Sequence, residues 1–285
     1  MRKNIKSKTL LVLAIAVTLV SFTTDCSNTQ NPRPKGFTIE KDLLLVQLDC
    51  KTDVDDLHTA AALATLVAGS DFSRLKYHAV AGTYGVQEGL YVPPNGLLQL
   101  SFGSNWTDAH NSSVAAVEKV KTIAKETLNG QGDIWIAEAG QSDFTAELVK
   151  VLQHDLPELN TTDRIHVVQH SDWNEKSTSP GDLDFVKQNT DYRKIPDGNA
   201  VGNGSPGFRD PEYTNWQDDV KDPKLQEIWK YAIDLSNKYN GKEGRYNNKA
   251  VSSGGLDFSD LSEVCAILGI ADIKDVGEFF DRYGN

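Results

Sequence analysis

The sequence predicts a single-domain α/β fold, Rossmann-like, with a mostly parallel sheet and helices on both faces. Three observations predict it. Short, nearly continuous apolar runs alternate with longer segments whose apolar residues recur at helical spacing, the pattern of strand–helix–strand units. The apolar runs end at or beside residues suited to a binding edge, namely Asp49, Gly82, Gly140 and His170. Residues 40–285 contain no linker that would divide them.

The elements follow in order. Leu43–Leu48 (LLLVQL) is apolar almost throughout, as a strand buried on both faces must be. Residues 55–68 (DDLHTAAALATLVA) read as a helix, with acids in the first turn where the helix dipole favours them. Lys76–Ala81 reads as a second strand. Ser113–Leu128 is a helix with Val117, Val120, Ala124 and Leu128 on one stripe. Ile134–Ala139 is a strand, Thr145–Leu152 a helix, and Ile165–Gln169 a further strand. Parallel strands joined by helices take right-handed crossovers, and their ligands bind outside the carboxyl ends of the strands. Residues 171–222 are rich in Asp, Asn, Gly and Pro and lack a clear period. They read either as a functional loop region or as short elements without a sequence signature. Leu225–Tyr239 returns to a helix with Leu225, Ile228, Trp229, Ala232, Leu235 and Tyr239 on one face, and Ser259–Leu268 and Ile273–Tyr283 read as closing helices.

The N-terminus reads as an address. Arg2, Lys3, Lys6 and Lys8 precede an apolar run from Thr9 to Phe22, the layout of a secretory signal. Thr23-Thr24-Asp25 and then Cys26 follow, with a polar stretch after it, so residues 1–25 are expected to be a signal peptide and 26–39 a tether. A bacterial lipoprotein signal has this form, with Cys26 lipidated and the protein held at a membrane (periplasm or outer membrane) by its lipid anchor. Asp25 stands where such signals carry a small residue, and ordinary secretion after cleavage near Ser21-Phe22-Thr23 is the alternative. The whole chain has 40 acidic and 29 basic residues, a net charge of -11. Removing residues 1–25 takes away four bases and one acid and leaves -14. An acidic chain of this kind argues against a nucleic-acid partner. Three cysteines are too few for a disulfide framework, and Cys50 and Cys265 read either as a pair or as buried thiols.

The chemistry concentrates after the first strand. Asp49, Asp53, Asp55 and Asp56 fall within eight residues at a strand-to-helix junction. Carboxylates packed together raise one another's pKa values, and a hard cation such as Ca²⁺ relieves the conflict. Helix capping by Asp53, with Asp55 and Asp56 placed by the dipole, is the competing reading. His170 ends a strand at the same edge and is the candidate for moving a leaving-group proton, although a structural histidine is the commoner case. Trp173 and Asn174 follow it; Asn174 is a candidate sugar ligand, and Trp173 either stacks on a base or sugar face or packs within its loop.

These motifs resemble the nucleoside hydrolase superfamily. That family opens with an apolar strand, an Asp-rich loop of the form Asp-x-Asp-Pro-Gly-x-Asp-Asp, and a helix. Here Asp49-Cys50-Lys51-Thr52-Asp53-Val54-Asp55-Asp56 stands in the same frame, with Lys51 in place of the second Asp and Thr52-Asp53 in place of Pro-Gly. A variant branch, with members described as cellulose-binding, has a loop resembling Thr-Asp-Ile-Gly-x-x-Pro-Asp-Asp. In that frame Asp49 takes the metal and water role, and Asp55 and Asp56 close the loop. The segment Gly140-Gln141-Ser142-Asp143 resembles a calcium-binding segment of the family, which makes Asp143 the counterpart of a carbonyl ligand. Asp257-Phe258-Ser259-Asp260 resembles the variant branch's Asp-Phe-Ser-Asp, which makes Asp260 the distal carboxylate ligand.

The resemblance implies a nucleoside hydrolase-like fold and a calcium centre formed by Asp49, Asp56, Asp143 and Asp260. It implies hydrolysis of an N-glycosidic bond in a nucleoside or other small ribosyl or sugar compound. Asp49 would take the proton of the attacking water, Asp55 would bind the sugar, and an oxocarbenium-like transition state would be stabilised by the surrounding negative charge. The alternative is a carbohydrate-binding lipoprotein that keeps the fold without turnover, and an ammonium at Lys51 that replaces the cation by pairing with Asp53 and Asp56 would favour it. Homo-oligomerisation stays open.

Overall fold

Every residue of Leu43–Leu48 is buried, and its side chains alternate between two separate apolar cores. This is the central strand of the molecule, of which the computed structural model describes residues 36–200 and 202–284. The signal-peptide reading of residues 1–25, Cys26 and most of the tether fall outside the described residues. Six strands form one all-parallel sheet: β1 (Leu43–Leu48), β2 (Lys76–Ala81), β3 (Trp106–Asp108), β4 (Ile134–Glu138), β5 (Ile165–Gln169) and β6 (Asp191–Lys194). Their order is β3-β2-β1-β4-β5-β6. A short antiparallel pair, β7 (Arg209–Asp210) and β8 (Leu256–Asp257), lies apart from this sheet.

In chain order the helices are α1 (Asp55–Ala68), α2 (Asn95–Phe102), α3 (Ser113–Asn129), α4 (Asp143–Asp155), α5 (Thr161–Arg164) and α6 (Asp172–Ser177). They continue with α7 (Asp182–Asn189), α8 (Trp216–Asp219), α9 (Pro223–Tyr239), α10 (Lys249–Ser252), α11 (Ser262–Leu268) and α12 (Val276–Tyr283). On one face, Leu44, Val46 and Leu48 meet apolar residues of α1, α2, α9, α11 and α12. On the other, Leu43 and Leu45 meet α3, α4 and α7. Four alanines (Ala60, Ala61, Ala62 and Ala64) keep α1 slim enough to be buried beneath α9. The Trp229 indole N–H of α9 donates to Thr65 Oγ1 of α1 at 2.9 Å, which satisfies the one polar atom of a buried tryptophan. α9 begins where Asp222 accepts from the N–H groups of Lys224 and Leu225 and Pro223 occupies the first turn.

The expected strands and helices of both cores are present, with ends moved by a few residues. The differences have local causes. β3 and α2 carried no period in the sequence: β3 is a three-residue edge strand, and α2 has only eight residues. Region 171–222 contains α6, α7, β6, β7 and α8, each of at most eight residues, too short to show a repeat. The last helix starts at Val276 rather than Ile273 because Asp275 caps it through the N–H of Glu278. Cys50 and Cys265 are both buried and free, so the pairing alternative is not realised.

The order 3-2-1-4-5-6 has its reversal between β1 and β4, and in open parallel sheets the crevice outside the strand ends at that reversal is where ligands sit. The segments leaving β1, β4 and β5 all open there.

Candidate metal centre

The loop from Asp49 to Val54 turns the chain from β1 into α1, and its own carboxylates shape it. Cys50 is held at a positive φ of 53°, a strained conformation for a residue with a side chain. Two bonds hold it there: its N–H donates to Asp56 Oδ2 at 2.8 Å, and its carbonyl accepts from Val92 N–H at 2.8 Å. Asp49 accepts from the Lys51 N–H at 2.8 Å through Oδ1 and from the Gln141 amide at 2.9 Å through Oδ2. The Lys51 ammonium turns away from the acids, donating to the Gln87 carbonyl and lying 4.2 Å over the Tyr84 ring. An internal ammonium therefore does not take the place of a cation between Asp53 and Asp56. Asp53 accepts from Val54 N–H and from Asn248, so the capping reading holds for Asp53 only in part: α1 has no side-chain cap at its first residue.

Asp55, Asp56 and Asp260 are buried, and each offers an oxygen within 4.8 Å of the other two. Asp56 Oδ1 is buried without a hydrogen-bond partner. Burial, followed by the charges of neighbouring acids, pushes the carboxyls of Asp55, Asp56 and Asp260 well above the usual carboxylate range. Burial also raises Asp49 to about 7 and Asp53 to about 6. Crowded buried carboxylates with an orphaned oxygen suit a hard divalent cation, which takes several oxygen ligands at once. The chemistry of the donor set therefore fits a metal at Asp55, Asp56 and Asp260; it does not distinguish one hard ion from another.

These acids form part of the wall of a cavity of about 320 Å³, large enough for a small ligand. Of the residues singled out in the sequence, Asp49, Asp55, Asp56, Asp260, His170, Trp173 and Asn174 line it. Asp143 does not: its side chain accepts from Ser179 N–H at the start of α4. Asn174 is tied in from the side, with its amide donating to the Ala139 carbonyl and its oxygen accepting from Gln141. Trp173 is 53% exposed at the cavity, so packing inside its loop does not account for it. Burial opposes the His170 imidazolium, but the carboxylates of Glu263 and Asp197 outweigh it and hold the pKa above the usual histidine value. His58, by contrast, is fully buried, accepts from Asp257 N–H, and is lowered to about 3 by burial.

The cavity also has residues that no motif or period singled out. Asn199 and Arg209 come from the aperiodic region, and Tyr246 from the turn before α10. Arg209 Nε lies 3.2 Å from Asp257 Oδ2, and Asn248 bridges Asp257 to Asp53. Arg209 is one of only two arginines among residues 171–222, the single hint that it has a charged partner.

Gly140 shows how tightly the crevice is built. A Cβ there would lie 2.4 Å from the Thr83 carbonyl and 3.1 Å from the Asp49 Cβ. Gly140→Ala is expected to cost about 1–3 kcal/mol of stability, because it overpacks backbone that cannot step aside. It should also weaken ligand binding by displacing Asp49; urea unfolding and cation titration of the variant check both.

No protein-family model matches the chain, and neither a curated protein nor a solved structure matches it. The class of protein rests on the topology and on the acidic trio.

Proposed function

We propose that the protein is a calcium-dependent hydrolase of N-glycosidic bonds, acting on a nucleoside or related ribosyl compound in the manner of the nucleoside hydrolases its motifs resemble. The observation that carries this reading is the buried trio Asp55, Asp56 and Asp260 in the wall of a ligand-sized cavity at the topological switch point. A divalent cation bound there would supply Lewis-acid polarisation of water and sugar hydroxyls. Asp49 accepts the proton of the attacking water, a task suited to a carboxylate raised to about 7. Asp55 and Asn174 hydrogen-bond the sugar, and the exposed face of Trp173 stacks on the base or sugar. His170 handles the proton of the leaving group. The remaining acids stabilise the positive charge that develops at the anomeric carbon.

A second reading is a carbohydrate-binding protein without turnover. It is favoured by Asp49, both of whose oxygens already accept hydrogen bonds from the chain. One assay separates the two: hydrolysis of p-nitrophenyl riboside and of a nucleoside panel, with Ca²⁺ and with EDTA. Turnover that needs Ca²⁺ supports the hydrolase, and saturable sugar binding without turnover supports the second reading. Export with lipidation at Cys26 is part of the same proposal, and loss of membrane association in Cys26→Ser is the expected result.

A further inference from the structure

We infer that Glu263 is a positioning residue for His170, holding the imidazole with its proton on Nδ1 and presenting Nε2 to the acidic cavity. His170 leaves the end of β5 and Glu263 lies in the first turn of α11; their side chains are 1% and 0% exposed. His170 Nδ1 lies 2.7 Å from Glu263 Oε1, somewhat off the line of the ring N–H. The backbone N–H of His170 donates to the same oxygen at 3.2 Å, so the carboxylate is fixed to the strand end as well as to the ring. A carboxylate only accepts, so the nitrogen facing it carries the hydrogen. Among the described residues neither Nδ1 nor Glu263 Oε2 has an aligned hydrogen-bond partner, which leaves the 2.7 Å approach of Oε1 as the polar contact open to Nδ1. Buried groups in that position pair with each other, because no water competes for them.

The other side of the ring gives the same answer. Nε2 lies 3.2 Å from the Asn199 amide nitrogen. The orientation of that amide follows from its other contacts: its nitrogen also donates to Asp197 Oδ1 at 3.2 Å and its oxygen accepts from Arg209 at 3.5 Å, while the single Ser259 hydroxyl hydrogen goes to Asp257 Oδ1 at 2.8 Å. Its NH₂ group therefore faces the ring, and Nε2 accepts. Asp260 Oδ1 and Asp197 Oδ1 also face Nε2, at 3.8 and 3.9 Å, beyond hydrogen-bond reach. Of the two groups within reach, Glu263 and the Asn199 amide, one tautomer satisfies both; the other sets N–H against N–H and a lone pair against a carboxylate. Nε2 is thereby kept as the atom at which a proton is taken up and passed on. The catalytic consequence rests on the hydrolase reading above, while the tautomer does not.

The test is long-range ¹⁵N–¹H correlation of the His170 ring in the full-length protein, at a pH alkaline enough for the ring to be neutral. Wild type is expected to show the Nδ1–H form. Glu263→Gln, which keeps the shape but can donate as well as accept, is expected to give a mixture of tautomers. On p-nitrophenyl riboside the same variant should lose about 10- to 100-fold in kcat with little change in KM, the size of effect typical when an orienting partner is lost. An Nε2–H form in wild type overturns the inference, as does an unchanged tautomer in both Glu263→Gln and Glu263→Ala. If Glu263→Ala does not fold, Glu263→Gln alone decides. Should wild type show no turnover at all, the hydrolase reading falls, and the spectrum still judges Glu263.

Discussion

Asp56→Asn is expected to give a folded protein that no longer responds to Ca²⁺ and no longer turns over substrate. Asp56 has two separate tasks on its two oxygens. Oδ2 accepts from the Cys50 N–H and so holds the strained turn, a task that an asparagine carbonyl can repeat. Oδ1 is buried and unpartnered, and the carboxylate as a whole is grouped with Asp55 and Asp260, a task that needs the charge. The substitution therefore spares the loop and removes one of three carboxylates. Without cation the variant should be as stable as wild type or more so, since it relieves repulsion among buried acids. With cation the difference reverses. A ligand at 100 times its Kd stabilises the native state by about 2.7 kcal/mol, which is about 5–10 °C in Tm for a domain of this size. Wild type should show that rise and Asp56→Asn should not. Asp143→Asn is the control, because that side chain bonds Ser179 outside the cavity. Calorimetry that finds unchanged Ca²⁺ affinity in Asp56→Asn would place the centre elsewhere.

The legible parts of this protein are those where one physical constraint dominates. β1 could be read because a strand buried on both faces must be apolar at every position but Gln47, whose amide finds Thr145. The acidic loop could be read because four carboxylates in eight residues demand an explanation, and six residues chosen around it and after β5 meet Asp260 at one cavity. Asn199, Arg209 and Glu263 could not. Their roles arise from the contacts Asn199–His170, Arg209–Asp257 and Glu263–His170, made over 29 to 93 residues of chain, with neither period nor motif to announce them. Glu263 in particular looks like any acid in the first turn of a helix, and only its burial against His170 distinguishes it.

The same crowding of acids predicts how stability should vary with pH. Asp49 rises from 3.8 to about 7 in the native state, and Asp55, Asp56 and Asp260 are pushed well above their ordinary value. Between the unfolded and native pKa values the native state binds more protons, so the stability of the cation-free protein falls as pH rises through that window. His170, also raised, acts in the same direction. His58 and His78, lowered to about 3 and about 4, act in the opposite direction, but only below about 6.5, where the unfolded chain still takes up their protons. Above pH 6.5 the acids therefore stand clear of them. In EDTA, Tm is expected to fall from pH 6.5 to 8.5. Calcium binds the deprotonated carboxylates, so the rise in Tm that it produces should grow over the same range as protons cease to compete. Subtracting the EDTA curve from the Ca²⁺ curve removes His58 and His78 from the comparison, since neither belongs to the trio. A cation-induced rise that is independent of pH would mean that the ion does not displace protons from these carboxyls. A Tm in EDTA that climbs above pH 6.5 would mean that the acids are not held in their protonated form at all.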